Sequence, residues 1–307
     1  MDLSGLKTVS VFTRGGKVRT EHFGGAPERG MGLDAWLERL PKLLAADTLR
    51  AVVASIANAR AKGKPVIWGM GGHVIKCGLA PVLLDLMKRG FITSFTMNGS
   101  TSIHDFEIGI CGATSEDVEA VLPDGSFGSA EETGRWMNEA VNGELGLGEA
   151  YGKKLHEVGK AEFLPMSVLA SAYAANVPVT VHLAMGTDTP HTHPAANGAA
   201  LGEGTLRDFK LFCGLVSELN EGGVYVNCGS AVVLPEVFLK AVSSVRNLGH
   251  ALGNFTTVNF DFLQHYRPKM NVVERPHAQA GGKGYSLTGH HEIMIPLLAA
   301  LLVETAE

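Results

Sequence analysis

Short apolar runs alternate with longer stretches of helical periodicity along most of the chain. Five apolar runs predict buried strands, at residues 65–70, 91–97, 177–184, 223–227 and 254–260. Helical spacing follows at residues 73–88, 131–142, 167–176, 205–219, 234–245 and 290–304. Strands that are apolar throughout and separated by helices pack in a parallel sheet covered on both faces. The pattern therefore predicts an α/β fold with a doubly wound, mostly parallel Rossmann-like sheet and helices on both faces.

A long helical pattern over residues 33–61 precedes the first strand. We expect residues 1–62 to form an N-terminal extension that packs on the sheet or in an oligomer interface. No linker rich in proline, serine or charge divides the chain, and no internal repeat is visible. A single α/β domain over residues 1–307 is predicted.

The composition fits a protein with a large buried core. Of the 307 residues, 45% are hydrophobic and 19% are charged, and the formal net charge is -5. A mildly acidic chain is not attracted to nucleic acid or to an anionic membrane surface, so we expect neither partner. The most apolar segment, residues 293–303, is too short to cross a bilayer. Four cysteines without a CxxC pair and no pattern of a signal peptide lead us to expect a cytoplasmic protein.

Glycine and small polar residues are dense where the predicted strands turn into helices, which is where open α/β sheets bind ligands. After the first strand, Gly69, Gly71 and Gly72 would let main-chain amides approach a phosphate, although a tight turn alone also needs such glycines. After the second strand, Asn98 and Gly99 precede Asp105, whose carboxylate could bind the hydroxyls of a ribose. The alternative is that Ser102 or Asp105 caps the N-terminus of the helix that begins there.

Three further turns carry titratable groups. The turn after the third strand holds Thr187 and Asp188, followed by His191 and His193 between two prolines, and the fourth turn holds Gly229 and Ser230. The last helix begins at His290, His291 and Glu292. Histidine titrates near neutral pH, so His191, His193 and His290 are candidate proton carriers.

Several of these segments resemble the deoxyhypusine synthase superfamily, in their order and context along most of the chain. They are GGHVIKCGLAPVLLDLMKRGFI, MNGSTSIHDFE, VPVTVHLAMGTDTPHTHP, LRDFKLF, VNCGSAVVLPEVFLKAV and HHEIMIPLLAALL. MNGSTSIHDFE is also similar to the NAD-binding domain of the arginine-dihydrolase type of ornithine cyclodeaminase. The resemblance implies a Rossmann-like NAD-binding fold and a homotetramer with active sites near subunit interfaces. It also implies that Thr187, Asp188 and Asp105 contact the cofactor and that Asp208 contacts an amine substrate.

The chain departs from that family at its catalytic lysine. The family's Ser-Trp-Gly-Lys stretch is absent, and Lys283 in a glycine-rich segment is the nearest lysine. We therefore expect a deoxyhypusine synthase-like enzyme, a transferase or an ammonia-eliminating enzyme, that uses NAD to oxidise a small amine or amino acid transiently to an imine. Lys283 is the candidate Schiff-base former, and Asp208 or Glu203 would hold a cationic substrate.

Two other classes of function stay open. Imidazole and carboxylate groups suit zinc or another divalent transition metal, so a metal-dependent hydrolase or lyase is an alternative. Its predicted ligands are His191, His193, His290, His291 and Glu292. A nucleotide-binding regulatory module without catalysis is the third hypothesis, which the density of titratable groups disfavours.

Overall fold

A computed structural model describes residues 1–305 and shows one six-stranded sheet in which every pair of neighbours is parallel. The strands are β1 (Val66–Met70), β2 (Ser94–Asn98), β3 (Val179–His182), β4 (Val224–Cys228), β5 (Thr256–Asp261) and β6 (Lys283–Thr288). Their order across the sheet is β3-β2-β1-β4-β5-β6. The predicted doubly wound parallel sheet is confirmed. Its order reverses between β1 and β4, which makes that point the topological switch of the fold.

Thirteen α-helices connect and cover the strands within the described residues. They are α1 (Leu33–Arg39), α2 (Leu44–Ala61), α3 (Gly72–Lys76), α4 (Ala80–Lys88), α5 (Gly99–Cys111), α6 (Val118–Val121), α7 (Glu131–Ala140), α8 (Leu147–Val158), α9 (Val168–Ala174), α10 (Gly198–Ser217), α11 (Val233–Asn247), α12 (Tyr266–Pro268) and α13 (His291–Glu304). None of the helices within residues 1–305 combines the length and apolar character that crossing a membrane requires. The N-terminal helices α1 and α2 pack against α13, and α2 also contacts β6.

The five predicted strands are present, and the differences from prediction have local causes. The helix predicted at residues 73–88 is divided into α3 and α4, because Gly78 takes a left-handed conformation with φ +74°. The helix predicted at 205–219 begins earlier, where the Asn197 side chain accepts hydrogen bonds from two main-chain amides of α10. The sixth strand was missed because β6 is an edge strand whose residues, apart from Leu287, are exposed or half-buried. An edge strand of this kind has no continuous apolar run.

Candidate functional site

The main chains of the turns after β1 and β4 are in direct contact at the switch point. The Gly71 amide donates a hydrogen bond to the Cys228 carbonyl oxygen over 2.8 Å, and a Cβ on Gly71 would overlap the Gly229 carbonyl. A Cβ on Gly229 would lie 2.8 Å from Cε1 of His291. Protein atoms therefore fill the space that a pyrophosphate would need directly above β1 and β4.

The other predicted phosphate-binding glycines also face protein atoms. A Cβ on Gly69 would lie 2.8 Å from the Tyr225 hydroxyl, inside the sheet. A Cβ on Gly72 would overlap the Ser100 hydroxyl at the start of α5. These glycines allow close packing between neighbouring elements. The sequence-based interpretation of Gly69, Gly71 and Gly72 as an open phosphate cradle has no support from this geometry.

A cavity of about 220 Å³ lies beside the closed switch point, toward the ends of β2 and β3. Ser100, His104 and Glu107 line it from one face of α5, because positions three and four apart lie on the same side of a helix. Lys76 at the end of α3 faces the same cavity. The remaining lining residues come from the segment after α5 and from the loop after β3, namely Ile103, Ser115, Glu116, Val118, Phe127, Thr187, Asp188 and Thr189.

The polar wall of this cavity is a connected set of hydrogen bonds. The Thr114 hydroxyl lies 2.7 Å from Nδ1 of His104 and donates to the Glu107 carboxylate, which also accepts from the Thr133 hydroxyl over 3.1 Å. Burial, and secondly the charge of Lys76, lowers the pKa of His104 to about 4. His104 is therefore a neutral imidazole at neutral pH. No ion pair forms at Lys76 among residues 1–305.

Asp188 lies where the loop after β3 meets the start of α5. A Cβ on Gly99, the first residue of α5, would overlap its carboxylate, which also lies 3.9 Å from Nε2 of His191. Burial raises the pKa of Asp188, while His191 and the Thr187 hydroxyl oppose that rise. The positive end of α5 stabilises this carboxylate. Asp188 and Thr187, two of the predicted cofactor-binding residues, thus line the cavity. Gly99, a third, is covered by the Asp188 side chain.

Two predicted cofactor residues are used in helix capping. The Asn98 side chain accepts a hydrogen bond from the Thr101 amide over 3.0 Å at the start of α5. The Ser230 hydroxyl accepts one from the Leu234 amide over 3.2 Å, near the start of α11. Both side chains satisfy helix amides that would otherwise lack an acceptor.

Asp105 is fully buried and faces away from the cavity. Its carboxylate accepts hydrogen bonds from the Ser167 hydroxyl (2.6 Å) and from the amides of Val168 (2.7 Å) and Leu169 (2.8 Å) at the start of α9. These donors satisfy the carboxylate within the protein. Asp105 therefore caps the neighbouring helix α9, where the capping alternative expected a cap on its own helix, and the predicted ribose contact has no geometric support.

The two predicted substrate carboxylates are also engaged within the protein. Asp208 is buried and accepts from the amides of Val181 in β3 (2.7 Å) and Gly148 in α8 (3.0 Å). Glu203 is exposed and pairs with Arg207 one turn along α10. Neither lines the cavity beside α5, but Asp208 lines a separate cavity of about 430 Å³ near the start of β3.

Lys283 was predicted as a Schiff-base former, and the structure corrects this. It is the first residue of β6, pairs with Thr256 at the start of β5, and is exposed. The six residues of β6 span about 17 Å at roughly 3.3 Å per residue. Lys283 therefore lies at the amino edge of the sheet, opposite the cavity.

The predicted metal ligands fall into two separate groups. His191 and His193 follow β3, whereas His290, His291 and Glu292 follow β6. Five strand spacings of about 4.8 Å separate the two strands, or about 24 Å, and Nε2 of His193 lies 3.1 Å from Glu131 instead. The two groups therefore lie too far apart for one metal ion to bind both.

A different group of metal-binding side chains does meet at the switch point. The Cys77 sulfur lies 3.3 Å from Nε2 of His73 and 3.7 Å from Oε2 of Glu292. Burial and the Glu292 carboxylate raise the pKa of the Cys77 thiol. Sequence reasoning named Glu292 and missed the other two, although His73 and Cys77 have the spacing of four that places two side chains on one helix face.

The fold and this edge of the sheet define a Rossmann-type α/β protein. Among solved structures, it is similar to a protein described as LOR/SDH from Methanococcus maripaludis S2 (13% identity, TM-score 0.55, covering 87% of this chain and 72% of that one). It is also similar to a protein described as a deoxyhypusine synthase from Entamoeba histolytica (10% identity, TM-score 0.53, covering 92% of this chain and 97% of that one). A third similar structure is AgrE in its ternary complex with ornithine and NAD+ (12% identity, TM-score 0.53, covering 87% of this chain and 35% of that one).

These comparisons confirm the predicted deoxyhypusine synthase-like fold. The chain spans about a third of the length of AgrE, at 35%. No protein-family model matches the sequence, and no curated protein matches it.

Proposed function

We propose that this chain is an enzyme that binds NAD at the carboxyl edge of its sheet and acts on a small amine or amino acid. The observation that carries the proposal is the cavity beside the start of α5, where the exposed Lys76 forms no salt bridge with the described residues. An ammonium group of this kind favours a phosphate group. AgrE, which shares the fold, is known in complex with ornithine and NAD+.

The residues of the cavity fit one half of a dinucleotide. A volume of about 220 Å³ is below the range of roughly 300–1,000 Å³ that is usual for complete ligand pockets. Lys76 would pair with a phosphate, and the hydroxyls of Ser100 and Thr187 would bond to phosphate or ribose. The closed turns of Gly71 and Gly229 do not fit the pyrophosphate. The rest of the dinucleotide would therefore extend out of the cavity, toward solvent or another subunit of the proposed tetramer.

The chain's own carboxylates are suited to a cationic substrate. Bound NAD would supply a hydride acceptor, so that oxidation at the carbon next to nitrogen leaves an imine on the substrate. Glu116 and Asp188 line the cavity and would hold the ammonium group before oxidation. His104 stays neutral and adds no repelling charge. Lys283 takes no part in this proposal, because it lies at the opposite edge of the sheet.

Calorimetric titration with NAD, NADP and AMP tests the proposal. We expect NAD to bind, AMP to compete for the same cavity, and Lys76→Ala to weaken binding of both. Lys88→Ala, which removes another exposed lysine at the end of α4, is the matched control and should leave binding unchanged. Failure of NAD and NADP to bind the wild-type protein, or equal binding by the two lysine variants, would contradict the proposal.

A further inference from the structure

The geometry points to a divalent transition-metal site formed by His73, Cys77 and Glu292 at the topological switch point. One ligand atom from each side chain lies within 4.8 Å of the other two. The site is separate from the cavity beside α5, and its existence does not depend on NAD binding. It shares Glu292 with the metal site predicted from sequence but uses none of the four histidines of that prediction.

Two rigid elements bring the three ligands together. His73 lies on α3, directly after β1, and Cys77 is the residue that ends this helix. Their spacing of four places the imidazole and the thiol on one side of the turn. Glu292 lies in the first turn of α13, after β6. Since both elements follow strands of one sheet, its packing holds the ligands in place without a long flexible loop.

Two of the three distances between ligand atoms match the edges of a tetrahedron, and the third lies within 4.8 Å. Zinc bonds of about 2.3 Å to sulfur and about 2.0–2.1 Å to nitrogen or oxygen place neighbouring ligand atoms about 3.5 Å apart. The observed separations are 3.3 Å from sulfur to nitrogen and 3.7 Å from sulfur to oxygen. A set of one sulfur, one nitrogen and one oxygen favours zinc or cobalt over magnesium or calcium, which prefer oxygen ligands alone.

The surroundings of the cluster provide a second, independent indication of a ligand. His291 is 1% exposed, and its ring centre lies 5.5 Å from that of His73. Its Nε2 lies 3.2 Å from the Phe260 carbonyl oxygen, but its Nδ1 is buried and has no hydrogen-bond partner among residues 1–305. A buried polar atom without a partner requires an explanation, and an ion or its bound water beside His73 supplies one for His291.

Three protein ligands leave a fourth position for water or substrate. This is the arrangement of catalytic zinc sites, whereas structural zinc has four protein ligands. His73 and Glu292 are exposed, so the position is open to solvent. His290, whose Nδ1 lies 3.9 Å from Oε1 of Glu292, borders the site on its outer side. The bound ion would act as a Lewis acid toward a small oxygen or nitrogen ligand.

Titration of the chelator-stripped full chain with Zn²⁺ and Co²⁺ tests this site. We expect one equivalent of each metal to bind, and the cobalt form to show a thiolate charge-transfer band with the visible absorption of tetrahedral cobalt. Cys77→Ser should abolish the thiolate band, and His73→Ala and Glu292→Gln should each weaken Zn²⁺ binding at least about tenfold. Cys111→Ser, which removes an exposed thiol elsewhere, should retain both the band and the affinity.

The site is disproved if the stripped wild-type protein binds no stoichiometric metal. It is equally disproved if the thiolate band persists in Cys77→Ser and disappears in Cys111→Ser. Circular dichroism of each variant confirms folding before titration. Because NAD binding is measured separately with Lys76→Ala, failure of the metal site and failure of the proposed function give different results.

Discussion

Gly71 and Gly229 meet over the centre of the sheet, so that a side chain on Gly71 would overlap the Gly229 carbonyl. The same turns are joined by the hydrogen bond from the Gly71 amide to the Cys228 carbonyl, 2.8 Å long. This contact closes the point at which open α/β sheets usually receive a ligand. It leaves the cavity beside α5 and the His73–Cys77–Glu292 cluster as the two sites at this edge.

Gly71→Ala should destabilise the fold, because the added methyl group meets main-chain atoms of a neighbouring strand end that cannot rotate away. Overpacking of this kind costs about 1–3 kcal/mol of unfolding free energy. Urea denaturation measures the loss. Gly202→Ala is the control, since nothing lies within 4 Å of its Cβ position on the exposed face of α10. That variant should gain about 0.5–1 kcal/mol from helix propensity, and an equal loss in both variants would contradict the close contact.

Asp105→Asn should lower stability without changing NAD affinity. Asparagine keeps the shape of the side chain but replaces one acceptor oxygen by a donor, which faces the donors at the start of α9. Hydrogen bonds to a charged group contribute about 1.5–3 kcal/mol each, so we expect a loss of that order in urea denaturation. Asp117→Ala, which removes an exposed cap from α6, should cost less. A selective loss of NAD affinity would restore the predicted ribose contact.

The free energy of unfolding should decrease in acid, because the buried His104 resists protonation in the folded state. Burial lowers its pKa from 6.5 in the unfolded chain to about 4 in the fold, so the unfolded state binds more protons in that interval. The contribution of His104 is complete above pH 6.5 and is lost as the pH falls toward 4. The slope is at most about 1.4 kcal/mol per pH unit.

Denaturation curves recorded across this interval test the effect. His104→Gln should show a shallower fall in unfolding free energy with acid than the wild-type protein. Part of the fall should remain, because burial also lowers the pKa of His182 to about 3. A variant that keeps the full wild-type slope would show that His104 does not titrate with a lowered pKa.

Lys283→Ala should be nearly neutral. The side chain is exposed at the amino edge of the sheet, where its ammonium lies 5.1 Å from the centre of the Tyr285 ring. Surface substitutions of this kind change stability by about 0.5 kcal/mol or less. Thermal unfolding and NAD titration should both match the wild-type protein. Loss of NAD binding in this variant would place the cofactor at the other edge of the sheet.

The sequence by itself determined five of the six strands, most of the helices between them, and the edge of the sheet that carries the polar turns. Apolar runs separated by helical patterns specify parallel buried strands, because only such strands are covered on both faces. The sequence also offered helix capping as an alternative for Asp105, at the start of its own helix, whereas the carboxylate in fact caps the neighbouring helix α9. Thr187 and Asp188, assigned from resemblance, do lie at the cavity.

The tertiary structure alone decided which of those turns are open and which side chains meet. Whether a glycine faces a ligand or a neighbouring turn depends on the order of strands, and periodicity along the chain does not encode that order. Cys77 and Glu292 are 215 residues apart and meet because α3 and α13 begin at one edge of the sheet. Lys283 lies at the amino edge of the sheet because it is the first residue of β6. The cavity lies at the carboxyl edge, where the parallel strands end. Sequence spacing fixes side-chain direction only within an element, so contacts between distant elements follow from packing.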